Sequence, residues 1–268
     1  MELLQYRNAL KHIFSYGEDV EDRTGVGTRR MFSIDLNYNV SEKHLPIVTS
    51  KKIFFKGITT ELCWLLKGMT NIDYLKDHSV NIWDEWADED GGLGPVYGKQ
   101  LRDLEDSDGN RVDQLENITE NIKDNPYSRR HIISLWNPAQ LKDMRLPPCH
   151  GVSSQFFVDT MDRLHMHMYQ RSGDMFLGVP FNITSYSLLL LLVSNQTGLK
   201  PGKFYHHIGD AHIYHNHFNA VEDFIKEDLH DLPSVDIDYQ DNYEEYEPEH
   251  FNLKGYSHGP KISAPVAV

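Results

Sequence analysis

The sequence predicts a single domain of the α+β class. Three observations lead there: apolar residues recur at helical spacing in some segments and alternate with polar ones in others, the two patterns interleave along the chain, and the 268 residues, 40% hydrophobic and 25% charged, show no compositional break, repeat or low-complexity run. A chain of this length can bury a sizeable core by itself.

Leu3, Tyr6, Leu10, Ile13 and Phe14 fall on one face of an opening helix that Gly17 ends. After the turn-rich segment from Arg23 to Thr28, Phe32, Ile34 and Leu36 alternate with Ser33 and Asp35, which predicts a strand with one buried and one wet face. Leu62, Leu65 and Leu66 stripe a second helix from Ile58 to Lys67, closed by Gly68, and Glu61 stands inside it among apolar neighbours. Arg130 to Trp136 predicts a buried strand, Pro138 to Met144 a short helix opened by proline, and Gln155 to Val158 another strand. Leu164 to Tyr169 alternates again. Phe181 to Gly198 is long and apolar enough to form a central buried helix, and strands return from Gly202 to Tyr214. The acidic stretches Asp84 to Asp90 and Asp238 to Glu249 carry Trp86, Tyr239, Tyr243 and Tyr246, a mixture expected of folded surface rather than of disordered tails.

A formal net charge of -14 argues against a broad nucleic-acid-binding surface, while leaving room for a small anion gripped by a few arginines. Two cysteines, Cys63 and Cys149, lie far apart with no signal region ahead of them, so a reduced, cytoplasmic protein is expected rather than a disulfide framework. The longest apolar stretch, Leu188 to Val193, falls far short of the ~18 residues that mark a membrane-spanning helix. No membrane association is expected.

The segment LPPCH, Leu146 to His150, places a cysteine behind two prolines that fix the backbone and present the thiol rigidly, as a nucleophile requires. An isolated cysteine is also a common small core residue. A nearby cation that stabilises the thiolate distinguishes the two, and Arg171 in YQRSGD is the candidate. His150 is a poorer base, because adjacent side chains of an extended segment point to opposite faces.

PPCH at Pro147 to His150, YQRSGD at Tyr169 to Asp174 and FLGVPFNI at Phe176 to Ile183 together resemble the thymidylate synthase family. The resemblance continues in order through DRTGVGT at Asp22 to Thr28, NIWDEWAD at Asn81 to Asp88, LGPVYGKQ at Leu93 to Gln100, SRR at Ser128 to Arg130, GDAHIYHNH at Gly209 to His217 and the terminal APVAV. It implies a large mixed β-sheet packed with helices around a long buried central helix, with the whole chain, 1–268, as one catalytic domain.

The resemblance also implies a reaction. Cys149 adds to carbon 6 of the uracil ring of dUMP, carbon 5 becomes nucleophilic, and 5,10-methylenetetrahydrofolate as co-substrate gives up its one-carbon unit and then a hydride, yielding dTMP and dihydrofolate. Glu61 organises the proton transfers with Tyr97 and His150 nearby, and Trp83 lies beside the folate, where it keeps water away. Arg23, Arg129, Arg130 and Arg171, with Ser172, match the phosphate-binding set, and Arg129 and Arg130 are implied to cross from the neighbouring subunit of a homodimer. Asn182 reads the uracil edge, Gln170 also contacts the nucleotide, and His212 and Tyr214 hold the sugar hydroxyl. Asp174 matches a pterin-binding carboxylate, and Lys51, Leu146, Leu177, Gly178, Phe181, Val266, Ala267 and Val268 match the remaining folate wall and closing tail. No metal and no nicotinamide are implied.

Other readings carry less. His206, His207, His212, His215 and His217 suggest a zinc hydrolase, but their spacing is not HExxH. Asp106 to Asn110 has a trace of a calcium loop without the closing glutamate and is read as a surface turn. A deoxyuridylate hydroxymethylase, in which water replaces hydride, is the closest rival. The segment Gly151 to Ser154 is one residue longer than in many relatives, and Phe54 stands where some have a polar residue.

Overall fold

A computed structural model describes residues 2–106 and 108–267. The opening amphipathic helix, α1 (Glu2–Tyr16), buries Leu3, Tyr6, Leu10 and Ile13 and ends at Gly17, where an added Cβ would lie 2.6 Å from the Ile13 carbonyl. Strands β1 (Glu18–Val20) and β2 (Thr28–Asn39) follow, then helices α2 (Phe55–Leu66), α3 (Asp73–Asp77) and α4 (Tyr97–Arg102). The hairpin β3 (Leu104–Glu105) and β4 (Arg111–Val112) leads to α5 (Gln114–Asp124), capped by Asp113, whose carboxylate accepts from the Leu115 and Glu116 amides. Next come β5 (Ile132–Ile133), β6 (Ser153–Val158), β7 (Arg163–Asp174), α6 (Gly178–Thr197), β8 (Lys200–Tyr214), α7 (Phe218–Lys226), β9 (Ser234–Ile237) and β10 (Phe251–Lys254).

Six strands form one sheet in the order β1-β2-β8-β7-β6-β5, antiparallel except for the parallel pair β7 and β8. A parallel pair needs a crossover, and α6 supplies it. Because that helix packs on every side, it is apolar all round rather than striped, with Leu188, Leu190, Leu192 and Val193 fully buried, and Gly198 at φ 71° ends it in a left-handed cap. The expected central helix is therefore present, extended to Gly178 at its start.

One sheet face lies against the helices through Tyr38, Phe204, Ile208, Met166, Met168 and Phe156. The opposite face carries Phe157, Tyr205, Ile132, His167 and His207 and is not covered by any described element; Phe157 is 62% exposed and Phe32 80%.

Phe32 corrects the expectation that it shares a buried face with Ile34 and Leu36. Ser33 has φ 70°, a left-handed conformation that breaks the pleat, so Met31 instead of Phe32 packs toward the core while Leu36 and Tyr38 remain inside. The strand expected from Arg130 to Trp136 shrinks to Ile132–Ile133, paired with Gln155 and Ser154. Beyond it the Gln114 side chain takes the place of a strand neighbour: its amide donates to the Ser134 carbonyl at 2.8 Å and its oxygen accepts the Ser134 N–H at 3.0 Å. The helix expected from Pro138 to Met144 is a turn followed by a short 3₁₀ segment, Leu141–Asp143, because the Asn137 side chain captures the Ala139 amide. The acidic C-terminal region is folded, with Tyr243 and Tyr246 buried, and Asp106 turns the β3–β4 connection by accepting the Asp108 and Asn110 amides.

Candidate active site

Cys149 sits in a loop held from three sides. The Tyr97 hydroxyl accepts its backbone N–H at 2.8 Å and lies 3.3 Å from Sγ; its carbonyl accepts the Arg171 amide at 2.8 Å; and the Arg171 guanidinium donates to the carbonyls of Pro148 at 2.9 Å and Pro147 at 3.0 Å. Prolines supply carbonyls and no competing N–H, which suits a loop stapled by one guanidinium. Burial pushes the Cys149 thiol up, while the Tyr97 hydrogen bond and the Arg171 charge oppose it without cancelling it. The unliganded sulfur is a thiol.

Although His150 lines the same cleft as Cys149, it bonds to Tyr186, and no hydrogen bond joins its ring to Sγ. Its Nδ1 lies 2.8 Å from the Tyr186 hydroxyl and its ring stacks on Tyr97 at 4.5 Å, and burial lowers its pKa to about 3, so the imidazole is neutral. Gly151 closes this arrangement at φ 62°, where an added Cβ would stand 2.3 Å from the Tyr186 hydroxyl oxygen and 2.7 Å from Leu135. Gly151→Ala is expected to cost about 2–4 kcal/mol, the sum of a left-handed conformation and local overpacking. Urea midpoints against the parent protein check this.

Opposite Cys149, Glu61 on α2 is buried and accepts a hydrogen bond from Trp83 Nε1 at 2.8 Å. Desolvation raises its pKa to about 7 against the opposing Trp83 bond, so the carboxyl can both give and take a proton near neutrality. Trp83 is itself wedged among Trp64, Trp86 and Tyr97 at 5.7–5.9 Å.

These groups face a cleft of about 390 Å³, within the usual size for small-molecule sites. Its lining brings together Glu61, Trp83, Tyr97, Leu146, Cys149, His150, Gln170, Ser172, Asp174, Leu177, Gly178, Phe181, Asn182, Tyr214, Val266 and Ala267. Ile82 and Trp86 also line it; the sequence reading missed them as site residues although both lie within NIWDEWAD. Val268 lies outside the described residues.

Asp174 joins the end of β7 to the start of α6: its Oδ1 accepts the Phe176 and Leu177 amides at 2.9 and 3.1 Å. Burial pushes this carboxyl up, but His217, His212 and the Leu177 amide outweigh burial and hold it below its ordinary value, hence ionised. Gln170 is fixed by His206 Nε2, 2.7 Å from its amide oxygen.

Six expected residues do not line the cleft. Arg171 stands behind the Cys149 loop. Lys51 is buried, donates to the Phe176 carbonyl at 2.6 Å and lies 3.6 Å over that ring, and burial draws its ammonium down to about 8 against the Asp174 charge. His212 is turned to Asp210 at 3.2 Å and packs edge-on against Tyr214. Arg23 is exposed in the loop before β2, and Arg129 and Arg130 are exposed beside β5 at the edge of the sheet. The histidines of the C-terminal half are dispersed: His206 to Gln170, His207 to Asp35, His215 to Asp19 and His217 to Pro265. Among the described residues no three His, Cys, Asp or Glu side chains gather as a metal site, and no helix is long and apolar enough to cross a membrane.

The sequence model of the thymidylate synthase family matches residues 4–268. The chain belongs to the thymidylate synthase family. The match runs essentially end to end, so the sheet, the central helix α6 and the cleft between α2, the Cys149 loop and the β7–α6 junction all fall within it. Membership indicates an enzyme of the methyltransferase type, from a family that uses methylenetetrahydrofolate and takes part in dTMP biosynthesis.

Proposed function

We propose that the chain is a single catalytic domain that converts dUMP to dTMP, with 5,10-methylenetetrahydrofolate as source of the one-carbon unit and hydride, and with dihydrofolate as second product. The observation that carries this reading is the placing of a presented thiol, Cys149, across one cleft from a buried carboxyl that titrates near 7, Glu61, with the amide of Asn182 on the same wall.

In this reading Cys149 bonds to carbon 6 of the pyrimidine, which makes carbon 5 electron-rich; the carbon 5 proton later passes to a base organised by Glu61, and elimination returns the thiol. Asn182 offers both a donor and an acceptor to the uracil edge, which cytosine cannot match in the same orientation. Gln170, Ser172 and Tyr214 face the nucleotide, with His212 behind Tyr214. Asp174 keeps one oxygen free beside an apolar wall of Leu146, Leu177, Gly178 and Phe181, the combination a flat, polar-edged pterin requires. Lys51 braces the Phe176 carbonyl ahead of α6. Trp83 excludes water from the cleft while orienting Glu61, which favours hydride capture over hydration.

Incubation with dUMP and methylenetetrahydrofolate, followed by mass analysis of the nucleotide, tests this: dTMP with dihydrofolate is expected. A hydroxymethyl nucleotide with tetrahydrofolate would establish the hydroxymethylase instead.

We further propose a cytoplasmic homodimer joined through the open sheet face. Phe157, Ile132 and Tyr205 give that face its apolar character, and Arg129 and Arg130, exposed and absent from the lining of their own cleft, are free to serve a second one. Arg23, exposed in the loop before β2, and the charge that Arg171 brings behind the Cys149 loop would complete the positive field for the phosphate from the same chain. Phe157→Asp, at a position already wet in the single chain, is expected to yield folded monomer by sedimentation velocity with turnover reduced at least about hundredfold, because two charge-assisted phosphate contacts are lost. An unchanged dimer, or a monomeric parent protein, refutes the arrangement.

A further inference from the structure

His217 has a completely buried side chain and is absent from the cleft lining, yet it touches both the cleft's fixed anion and the segment that covers the cleft. Its Nε2 lies 2.8 Å from the Pro265 carbonyl oxygen. A carbonyl only accepts, so Nε2 carries a hydrogen. Its Nδ1 is buried without a hydrogen-bond partner, and the nearest anionic atom is Asp174 Oδ1 at 3.7 Å. With Nε2 already protonated, a neutral ring would aim a bare lone pair at a carboxylate; only the imidazolium presents N–H to both sides.

We infer that His217 is a positioning residue, an imidazolium latch that ties the C-terminal segment through Pro265 to Asp174. Among the described residues, this is the one hydrogen bond that reaches the backbone between positions 261 and 267, beyond the anchors Gly259 N to the Thr49 carbonyl and Lys52 N to the Pro260 carbonyl. Val266 and Ala267, immediately past the latch, line the cleft. Asp174 Oδ1 is pinned by two amides, so the tail is referred to a rigid point at the start of α6, and the other carboxylate oxygen is left for a ligand. The consequence for the folate rests on the reading of Asp174 given above: a ligand that engages the carboxylate alters the charge that holds His217, and tail closure and folate binding become linked.

Several groups surround the ring. Asp174 at the end of β7 attracts its proton; Lys51, in the loop after β2, opposes it; His212 on β8 acts through Asp174; and Phe176 and Tyr214 pack against the ring at 5.7 and 5.4 Å. Burial lowers the imidazole pKa, but the nearby Asp174 carboxylate and the bond to the Pro265 carbonyl outweigh burial, so the value lies above that of an ordinary histidine. The proton is therefore held to higher pH than on an ordinary histidine and is lost as pH rises through the raised value, and the latch loosens in that direction.

Release of the C-terminal residues by a carboxypeptidase from ligand-free protein, normalised at each pH to a free peptide of the 261–268 sequence, reads the latch, because digestion requires the tail to leave its seat. The normalised rate is expected to rise at least about tenfold between about pH 6 and about pH 9, as the charge-assisted bond weakens. His217→Gln places an amide donor near the position of Nε2 and should keep the tail resistant at both pH values. His217→Asn is too short to reach Pro265 and should leave it susceptible at both. In turnover, His217→Asn should raise the folate KM about tenfold or more with the dUMP Kd changed less than about twofold, and His217→Gln should remove the pH dependence of that KM. Tail release that ignores pH in the parent protein, or that is equal in the Asn and parent proteins, overturns the latch. The pH series on the parent protein needs neither nucleotide nor folate, so it stands apart from the test of the proposed reaction.

Discussion

Cys149→Ser is expected to lower dTMP formation by about ten-thousandfold or more, the scale seen when a covalent nucleophile is removed from an otherwise intact site. A serine hydroxyl fits the loop, because the backbone bonds from Tyr97 and Arg171 do not depend on sulfur. It has no comparable ability to ionise, however, and cannot add to an electron-poor ring at neutral pH. The loss should fall on kcat, with dUMP still bound, and intact-mass spectra of the parent protein should show a nucleotide adduct that the variant lacks. Near-normal turnover by the serine protein would remove covalent catalysis from the proposal altogether.

Glu61→Gln is expected to reduce kcat by about a hundredfold to ten-thousandfold, since general acid–base transfers are lost. The same substitution should stabilise the protein at alkaline pH. Burial raises the Glu61 pKa from 4.5 to about 7, so the unfolded chain gives up this proton more readily than the folded one. The carboxyl therefore costs nothing below the unfolded value. Its penalty grows as pH climbs between the two values and is complete above the folded one, reaching about 3 kcal/mol. Glutamine cannot ionise, and its carbonyl can still accept the Trp83 N–H. Urea denaturation should show the variant more stable than the parent at about pH 8.5 and level with it at about pH 4. A variant less stable at both would mean that the carboxylate is favourably solvated, and Glu61 could not then be the proton-transfer group.

Much of the fold could be read from pattern because the pattern reports burial. α2 and α6 follow from their apolar stripe and apolar surround, and β7 from alternation. What pattern could not reveal was decided by single side chains acting on backbone. The left-handed Ser33 turned Phe32 outward, and Gln114 satisfied Ser134 where a neighbouring strand was expected. In the site, residue types suited to nucleophile, base and amide reader were legible from Cys149, Glu61 and Asn182, and the ordered motifs located them together. Partnerships were not. That Arg171 spends its guanidinium on two proline carbonyls, and that Trp83 holds Glu61, are facts of distance that no spacing encodes. Trp86 and Ile82 were missed because an apolar residue on a wall has the same sequence signature as one in the core.

The sulfur kept protonated in its loop is also chemically quiet. Peroxides and electrophiles consume thiolates far faster than thiols, so the same desolvation that opposes ionisation shields Cys149 from sulfenic acid formation. In the proposed reaction the sulfur becomes reactive only once a pyrimidine ring arrives to receive it, so protein left idle among oxidants retains its thiol.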